Sequence, residues 1–311
     1  MTRPLPKAVT SRAAASDAAP YPARWLLAVL RTARPRQWPK NLLVFAAPLA
    51  GATLGRDDGL GYALVAAAAF GCASVAVYLA NDVADAERDR RHPRKRHRPV
   101  AAGDLPKSHA ITLSTVSAAA GITAGVVISE PLLTASVGGY LGISFLYSGL
   151  LKHIPVLELC LVASGFLLRV LGGAAATHVR PSGWFLLVCS LGAFGVAVAK
   201  RYTELTSLGP EAIAHRPVIR RYRAGMLRLA QLAAGAAMIG CYLAWAAGQP
   251  AGTARWHLAS GLPLAAALVR FGLLTGRGTA TPVEDLLSRD GLMVACELAW
   301  LALFAAGIWE T

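Results

Sequence analysis

The chain has 311 residues, of which 55% are hydrophobic and only 15% charged, and its formal net charge is +14. A soluble domain carries about a quarter charged residues, so this composition excludes an ordinary water-soluble globule and indicates a membrane protein. The positive balance fits loops that face anionic lipid or substrate, and nucleic acid is not expected as a partner.

Residues 1–40 are basic and rich in Pro and Ala, with no apolar core and cleavage site of a signal peptide. Residues 1–22 read as a disordered basic tail ahead of one membrane domain over 23–311. Nine apolar stretches then follow that are candidates to span a bilayer. They lie near 39–55, 60–81, 109–128, 132–150, 155–176, 183–200, 225–247, 257–275 and 291–309. Gly and Ala recur throughout them, which permits close helix approach in lipid. Arg34, Arg36, Lys40, the 88–98 cluster, Lys107, Lys152, Lys200, Arg201, Arg216, Arg220, Arg221, Arg223, Arg277 and Arg289 fall on one set of loops. Arg56, Arg180 and Arg255 alone fall on the other. This asymmetry predicts a cytoplasmic N-terminus. Two cytoplasmic loops, roughly 82–108 and 201–224, are longer than a connection needs and are expected to be functional.

The first of these loops opens with Asn81-Asp82-Val83-Ala84-Asp85-Ala86-Glu87-Arg88-Asp89, directly after the second apolar run. On a helix Asp82, Asp85 and Asp89 share one face. Such carboxylates repel one another unless a cation sits among them, and hard oxygen donors suit Mg²⁺ shared with substrate phosphates. A basic run, Arg90 to Arg98, follows at once. Acid and basic clusters at the mouth of a membrane helix describe a site for a metal-bound diphosphate, with Asp82, Asp85 and Asp89 as ligands. Asp89 lies furthest out and is expected to matter less. A solvated helix end with a positive loop would explain the arginines but not three co-facial aspartates. The five cysteines lie in apolar segments without metal-ligand spacing and read as small buried apolar residues. Arg169 lies within a span, where it either contacts substrate or pairs with Glu158 or another carboxylate.

Asn81-Asp82-x-x-Asp85-x-x-x-Asp89, with His92-Pro93 and Lys95-x-x-Arg98-Pro99, resembles the first signature of the UbiA-type intramembrane prenyltransferase superfamily. Tyr147-Ser148 with Lys152 resembles its signature at the fourth helix, and Gly165 to Arg169 with Gly172-Gly173 its fifth helix. The resemblance implies an all-α polytopic bundle, here of about nine transmembrane helices around a central cavity open to the cytoplasm. It departs at one point. The superfamily carries a second aspartate-rich motif after its sixth helix, whereas this chain has Lys200-Arg201-Tyr202-Thr203-Glu204. Exchanging aspartates for Lys and Arg exchanges metal-mediated for direct phosphate binding.

That departure, with Arg34-Pro35-Arg36-Gln37-Trp38-Pro39-Lys40-Asn41 and the late Pro282 to Asp285 and Asp290, resembles a branch that moves a phosphoribosyl rather than a prenyl group. The implied donor is 5-phosphoribosyl diphosphate and the implied acceptor a polyprenyl phosphate such as decaprenyl phosphate. The product would be a precursor of cell-wall arabinan, made with Mg²⁺ at the inner membrane. Catalytic roles are implied for Asp82, Asp85 and Lys200. Substrate contacts are implied for Gln37, Lys40, Asn81, Lys95 and Arg98, and for Tyr147, Lys152, Arg169, Arg201 and Glu204. The residues do not set an oligomeric state, and a homo-oligomer such as a trimer is compatible with them. Two rivals remain: a prenyltransferase acting on an aromatic or haem acceptor, and a cation-coupled transporter using Asp82 and Asp85. The missing second aspartate motif weighs against the first. The lack of a clear internal repeat weighs against the second.

Overall fold

The computed structural model describes residues 21–56, 58–93, 95–208, 217–277 and 283–309, and every regular element among them is helical. Most of the tail 1–22, residues 209–216 of the second long loop, and Pro282 lie outside the described residues. The chain divides into two compact units, one comprising the N-terminus to Gln37 with Val75–Ser117, the other Trp38–Ser74 with Ala118–Thr311.

The first unit holds α1 (Tyr21–Thr32), the C-terminal part of α3 (Gly59–Arg90), a 3-10 turn (Lys95–His97), α4 (Pro99–Ala102) and the start of α5 (Lys107–Val127). α1 is an element the composition of the tail concealed. Its Ala28 is buried with Leu79, Ala86, Val100, Leu105 and Ala110, while Leu26, Leu27 and Leu30 stay exposed. A short helix that buries one face and offers leucines on another suits a membrane interface. Ser114 donates to the carbonyl of Ala76 at 2.8 Å, fastening α5 to α3.

The second unit holds a 3-10 helix (Pro35–Phe45, from Trp38 on), α2 (Ala46–Ala50), the start of α3 and the rest of α5. It continues with α6 (Pro131–Gly149), α7 (Leu157–Ala176), α8 (Gly183–Leu208) and α9 (Ala224–Ala247). α10 (Ala251–Gly276), α11 (Val283–Arg289) and α12 (Gly291–Trp309) complete it. Among the described residues seven helices are long and apolar enough to cross a membrane: α3, α5, α7, α8, α9, α10 and α12. The chain is therefore an integral membrane protein. α6 spans 19 residues but is diluted by Gly, Ser and Tyr, and is not among the seven. The first expected span, 39–55, is no single helix. Pro39 and Pro48 lack the N–H a continuous α-helix needs, so the segment becomes a 3-10 helix followed by the five residues of α2.

Two glycines of α7 set the packing of this unit. A Cβ on Gly173 would lie 1.8 Å from the carbonyl oxygen of Val44, and one on Gly172 would lie 2.4 Å from the Phe70 ring. The bare backbone of α7 thus touches the 3-10 helix and the start of α3.

Candidate active site

α3 does not stop where the apolar run stops. It continues through Arg90 and carries the aspartates with it. Asp82 and Asp89 are buried, 2% and 3% exposed, and Nη1 of Arg98 stands between them, 3.2 Å from Asp82 and 2.8 Å from Asp89. Arg34 gives Asp82 a second charged hydrogen bond. The Arg34 guanidinium also lies 5.0 Å over the Tyr78 ring. Arg34 has φ 51°, a left-handed conformation that turns the chain between α1 and the 3-10 helix. Asp85 is half-exposed and faces Arg88 at 3.3 Å.

The expected trio is therefore split. Among the described residues no three carboxylate, His or Cys side chains converge on one metal point. The cause is helix geometry. At about 100° per residue, Asp89 lies only about 20° round the helix from Asp82, but Asp85 about 60°. Asp89, expected to matter less, is as buried as Asp82. A cation still fits here, because one cationic nitrogen already occupies the space between two hard oxygen donors. Arg34 and Arg98, 27% and 30% exposed, are long enough to release them.

The second unit holds a buried charge network at the end of α8. Arg201, 3% exposed, grips the fully buried Glu158 with two hydrogen bonds, Nε to Oε1 at 2.6 Å and Nη2 to Oε2 at 2.8 Å. Its Nη1 donates to Glu204 at 2.8 Å, and Nη2 also donates to the Tyr147 hydroxyl at 3.2 Å. Tyr147 and Tyr222 each donate to Glu158 at 3.4 Å. Burial pushes the Tyr222 phenol above its ordinary pKa, so it keeps the proton it donates. Arg201 was expected to reach phosphate directly. Four of its five N–H donors go instead to Glu158, Glu204 and Tyr147, because a buried guanidinium needs a buried counter-charge.

Tyr222 also accepts a hydrogen bond from the backbone N–H of Val156 at 2.9 Å. Val156 has φ 64° and ψ −49°, and Leu157 N–H donates back to the Pro155 carbonyl at 2.7 Å. This is a γ-turn of the rare, strained hand, centred on a β-branched residue, at a cost of about 1–3 kcal/mol.

Arg169, 4% exposed, does not meet Glu158. It donates to Asn41 Oδ1 at 2.9 Å, the Gly165 carbonyl at 2.7 Å and Ser74 Oγ at 2.9 Å. Its guanidinium lies 4.4 Å from the Tyr140 ring centre. All three acceptors are neutral, so a cation persists in the interior of the unit. Gln37 and Lys40 sit half-buried on the 3-10 helix, Asn81 half-buried beside Asp82, Lys152 on the 3-10 turn Leu151–His153, and Lys200 half-buried next to Arg201. Lys95 is half-buried and donates its backbone N–H to His92 at 3.2 Å. The structure thus joins Asp82, Asp89 and Arg98 in one unit and Tyr147, Arg201 and Glu204 in the other. It adds Arg34, Glu158 and Tyr222 to the sequence-derived site residues. A charged residue within an apolar run was the signal for Glu158. Tyr222, in a loop dominated by arginines, gave none.

An emergent membrane helix with a buried aspartate pair, and a buried arginine network at the end of another, define an intramembrane protein that handles charged substrates. The model of the UbiA prenyltransferase family matches residues 42–282, and the chain belongs to that family. It is 35% identical over 291 residues to decaprenyl-phosphate phosphoribosyltransferase of Mycobacterium tuberculosis, covering 92% of this chain and 96% of that one. It is 33% identical over 294 residues to the protein of the same name from Mycolicibacterium smegmatis, covering 90% and 92%. A UbiA homolog from Archaeoglobus fulgidus, solved bound to DMAPP and Mg²⁺, shares the fold with a TM-score of 0.68 over 91% of this chain and 99% of that one, at 14% identity.

Proposed function

We propose that the chain transfers the 5-phosphoribosyl group of 5-phosphoribosyl diphosphate to a polyprenyl phosphate, decaprenyl phosphate among them, and releases diphosphate. The observation that carries this reading is the exchange at the end of α8. Lys200-Arg201-x-x-Glu204 stands there instead of an aspartate-rich motif, in a chain about one-third identical to phosphoribosyltransferases along nine-tenths of its length.

An oxygen of the lipid phosphate forms a bond to C1 of the ribose. The bond from C1 to the diphosphate oxygen breaks, the electron pair leaves with diphosphate, and C1 inverts. The acceptor is already an anion, so no protein base is needed. The work of the chain is positioning and charge stabilisation. Lys200 and Lys152 are the cations assigned to phosphate oxygens. Arg201 holds α8 and α7 together through Glu158, and Tyr147 and Glu204 complete its shell. Asp82 and Asp89 would hold Mg²⁺, with Asp85 as a further carboxylate near them on α3. Once bound, the metal supplies neutralising charge to the diphosphate. Arg34 and Arg98, displaced from the aspartates, then face the same anionic group.

The steep loop asymmetry of Lys and Arg supports an N-terminus and site on the cytoplasmic side of the plasma membrane, where a soluble sugar phosphate is available. The broken segment Pro35–Ala50 and α6 are assigned as the two crossings that bring seven to nine, around a cavity open to that side.

The decisive experiment supplies purified protein with Mg²⁺, labelled 5-phosphoribosyl diphosphate and polyprenyl phosphate. A lipid-soluble, acid-labile sugar phosphate is the expected product. Turnover of a polyprenyl diphosphate with an aromatic acceptor, and none of the sugar donor, would replace this reading.

A further inference from the structure

We infer that Tyr222 is a positioning residue. Its hydroxyl holds the strained Pro155–Val156–Leu157 turn and the Glu158 carboxylate together, and so fixes the spacing of Lys152 and Lys200. The inference rests on the proposed reading only where those two lysines are given phosphate to bind.

The placement follows from the chain. Lys152 sits on the turn Leu151–His153, immediately before the strained turn, and Glu158 lies in the first turn of α7, immediately after it. Lys200 precedes Arg201 on α8, and Arg201 is gripped by Glu158. One short stretch therefore links both lysines, and its geometry depends on Val156 staying at φ 64°. A valine does not hold that conformation unaided, because its branched side chain crowds its own backbone there. Two hydrogen bonds oppose the strain. One closes the turn itself at 2.7 Å, and the other runs from Val156 N–H to the Tyr222 hydroxyl at 2.9 Å. Without the Tyr222 hydroxyl that N–H loses a fixed acceptor, and Glu158 loses one of its donors. Tyr222 is itself buried with Leu159, Ala197, Val198, Val218 and Leu227, which anchors its ring in a place the hydroxyl does not determine. Removing the hydroxyl alone therefore frees the turn without emptying the core.

The strain also supplies the test. Glycine adopts a positive φ without steric cost. In a Tyr222→Phe chain, Val156→Gly lets the turn persist although its external hydrogen bond is gone. A role exercised only through Glu158 would gain nothing from that second change.

The experiment uses the full chain in lipid–detergent micelles, as wild type, Tyr222→Phe, Val156→Gly and the double variant. Two measurements are made: hydrogen exchange over residues 151–160, and initial rates against 5-phosphoribosyl diphosphate, polyprenyl phosphate and Mg²⁺. In Tyr222→Phe, exchange over 151–160 accelerates. KM for one phosphate-bearing substrate rises about tenfold, the equivalent of one lost hydrogen bond, while kcat changes less than about twofold. The Mg²⁺ requirement stays as in wild type. Adding Val156→Gly returns both exchange and KM most of the way. Unchanged exchange and KM in Tyr222→Phe overturn the inference, as does a double variant no better than Tyr222→Phe. If Tyr222→Phe alone does not fold, recovery of folded protein by Val156→Gly supports the inference and failure to recover overturns it. A wild type that does not use the sugar donor refutes the proposed function instead. Hydrogen exchange still reads the turn in that case.

Discussion

Gly173→Ala is the substitution whose cost the structure defines most sharply. The added Cβ would stand 1.8 Å from the Val44 carbonyl oxygen and 2.7 Å from its carbon. The obstacle is backbone, so no rotamer change relieves it, and the 3-10 helix must retreat from α7 by about an ångström before the contact is tolerable. Overpacking of this kind costs about 1–3 kcal/mol, against a helix-propensity gain of no more than about 1 kcal/mol. A second loss follows. Asn41 lies three residues before Val44, and on a 3-10 helix i and i+3 share a face, so the retreat also pulls Asn41 from the Arg169 Nε it accepts at 2.9 Å. A hydrogen bond to a charged group is worth about 1.5–3 kcal/mol. The net expectation is a loss of about 3 kcal/mol, which for a chain of 311 residues lowers the unfolding midpoint by about 4–5 °C. Tryptophan fluorescence of the purified protein in micelles during heating reads that shift. Gly138→Ala is the control, since a Cβ there meets nothing within 4 Å, and it should melt at or slightly above the wild-type temperature. Equal midpoints for Gly173→Ala and wild type would refute the close approach and the placement of Asn41 against Arg169.

Asp82→Asn and Asp89→Asn should each lower turnover at least about a hundredfold and weaken the apparent affinity for Mg²⁺; Asp89→Asn with full activity would remove that residue from the site. Lys200→Ala should raise KM for one phosphate-bearing substrate about tenfold or more, and Lys200→Asp should be worse, because it adds repulsion to lost attraction. If Lys200→Asp instead keeps activity and binds metal more tightly, the α8 end is a second metal site. Asp290 caps α12 through the Met293 N–H at 3.0 Å and takes two hydrogen bonds from Arg270. Those bonds, Arg270 first, hold its carboxyl below the ordinary carboxylate range. A depressed pKa contributes stability at neutral pH that disappears as pH falls through the folded value. Asp290→Asn should therefore melt lower than wild type at neutral pH, and the gap should close in acid. With the native cysteines replaced, a cysteine at Arg96 should react only with a reagent on the cytoplasmic side and one at Gly252 only from outside. The reverse pattern would invert the topology.

The helices were legible because apolar length is a strong signal. The ends of α9 and α12 fall within a residue or two of the apolar runs at 225–247 and 291–309. The segment 39–55 was misread because hydropathy does not register what Pro39 and Pro48 do to a helix. α1 was missed because its pattern is short and sits among basic and proline-rich sequence. At the site, sequence identified the aspartates but assigned them to one face without distinguishing rotations of about 20° and 60°. That difference buries Asp89 and turns Asp85 outward. The Glu158 pairing was not readable at all. Its partner lies 43 residues away, and in sequence Arg169, within the same apolar run as Glu158, is the nearer candidate.

The division of labour proposed for Lys200 and Arg201 bears on why this branch exchanges aspartates for cations. A prenyl diphosphate brings one diphosphate group to the membrane. A phosphoribosyl donor brings phosphate at both ends, and the lipid acceptor brings another. With two anionic substrates, a second arm of aspartates would repel the acceptor unless a further metal always occupied it. A lysine in that place attracts the acceptor directly. A lysine and an arginine side by side at a membrane boundary would also repel each other and destabilise the end of α8. Glu158 and Glu204 answer that cost by taking the guanidinium into a buried, compensated shell, and Lys200 is the cation of the pair proposed to meet substrate. On this argument Glu158 and Glu204 belong to the same exchange as Lys200 and Arg201. Restoring aspartate at Lys200 alone should then leave Arg201 locked in place and the chain unable to bind either kind of donor well.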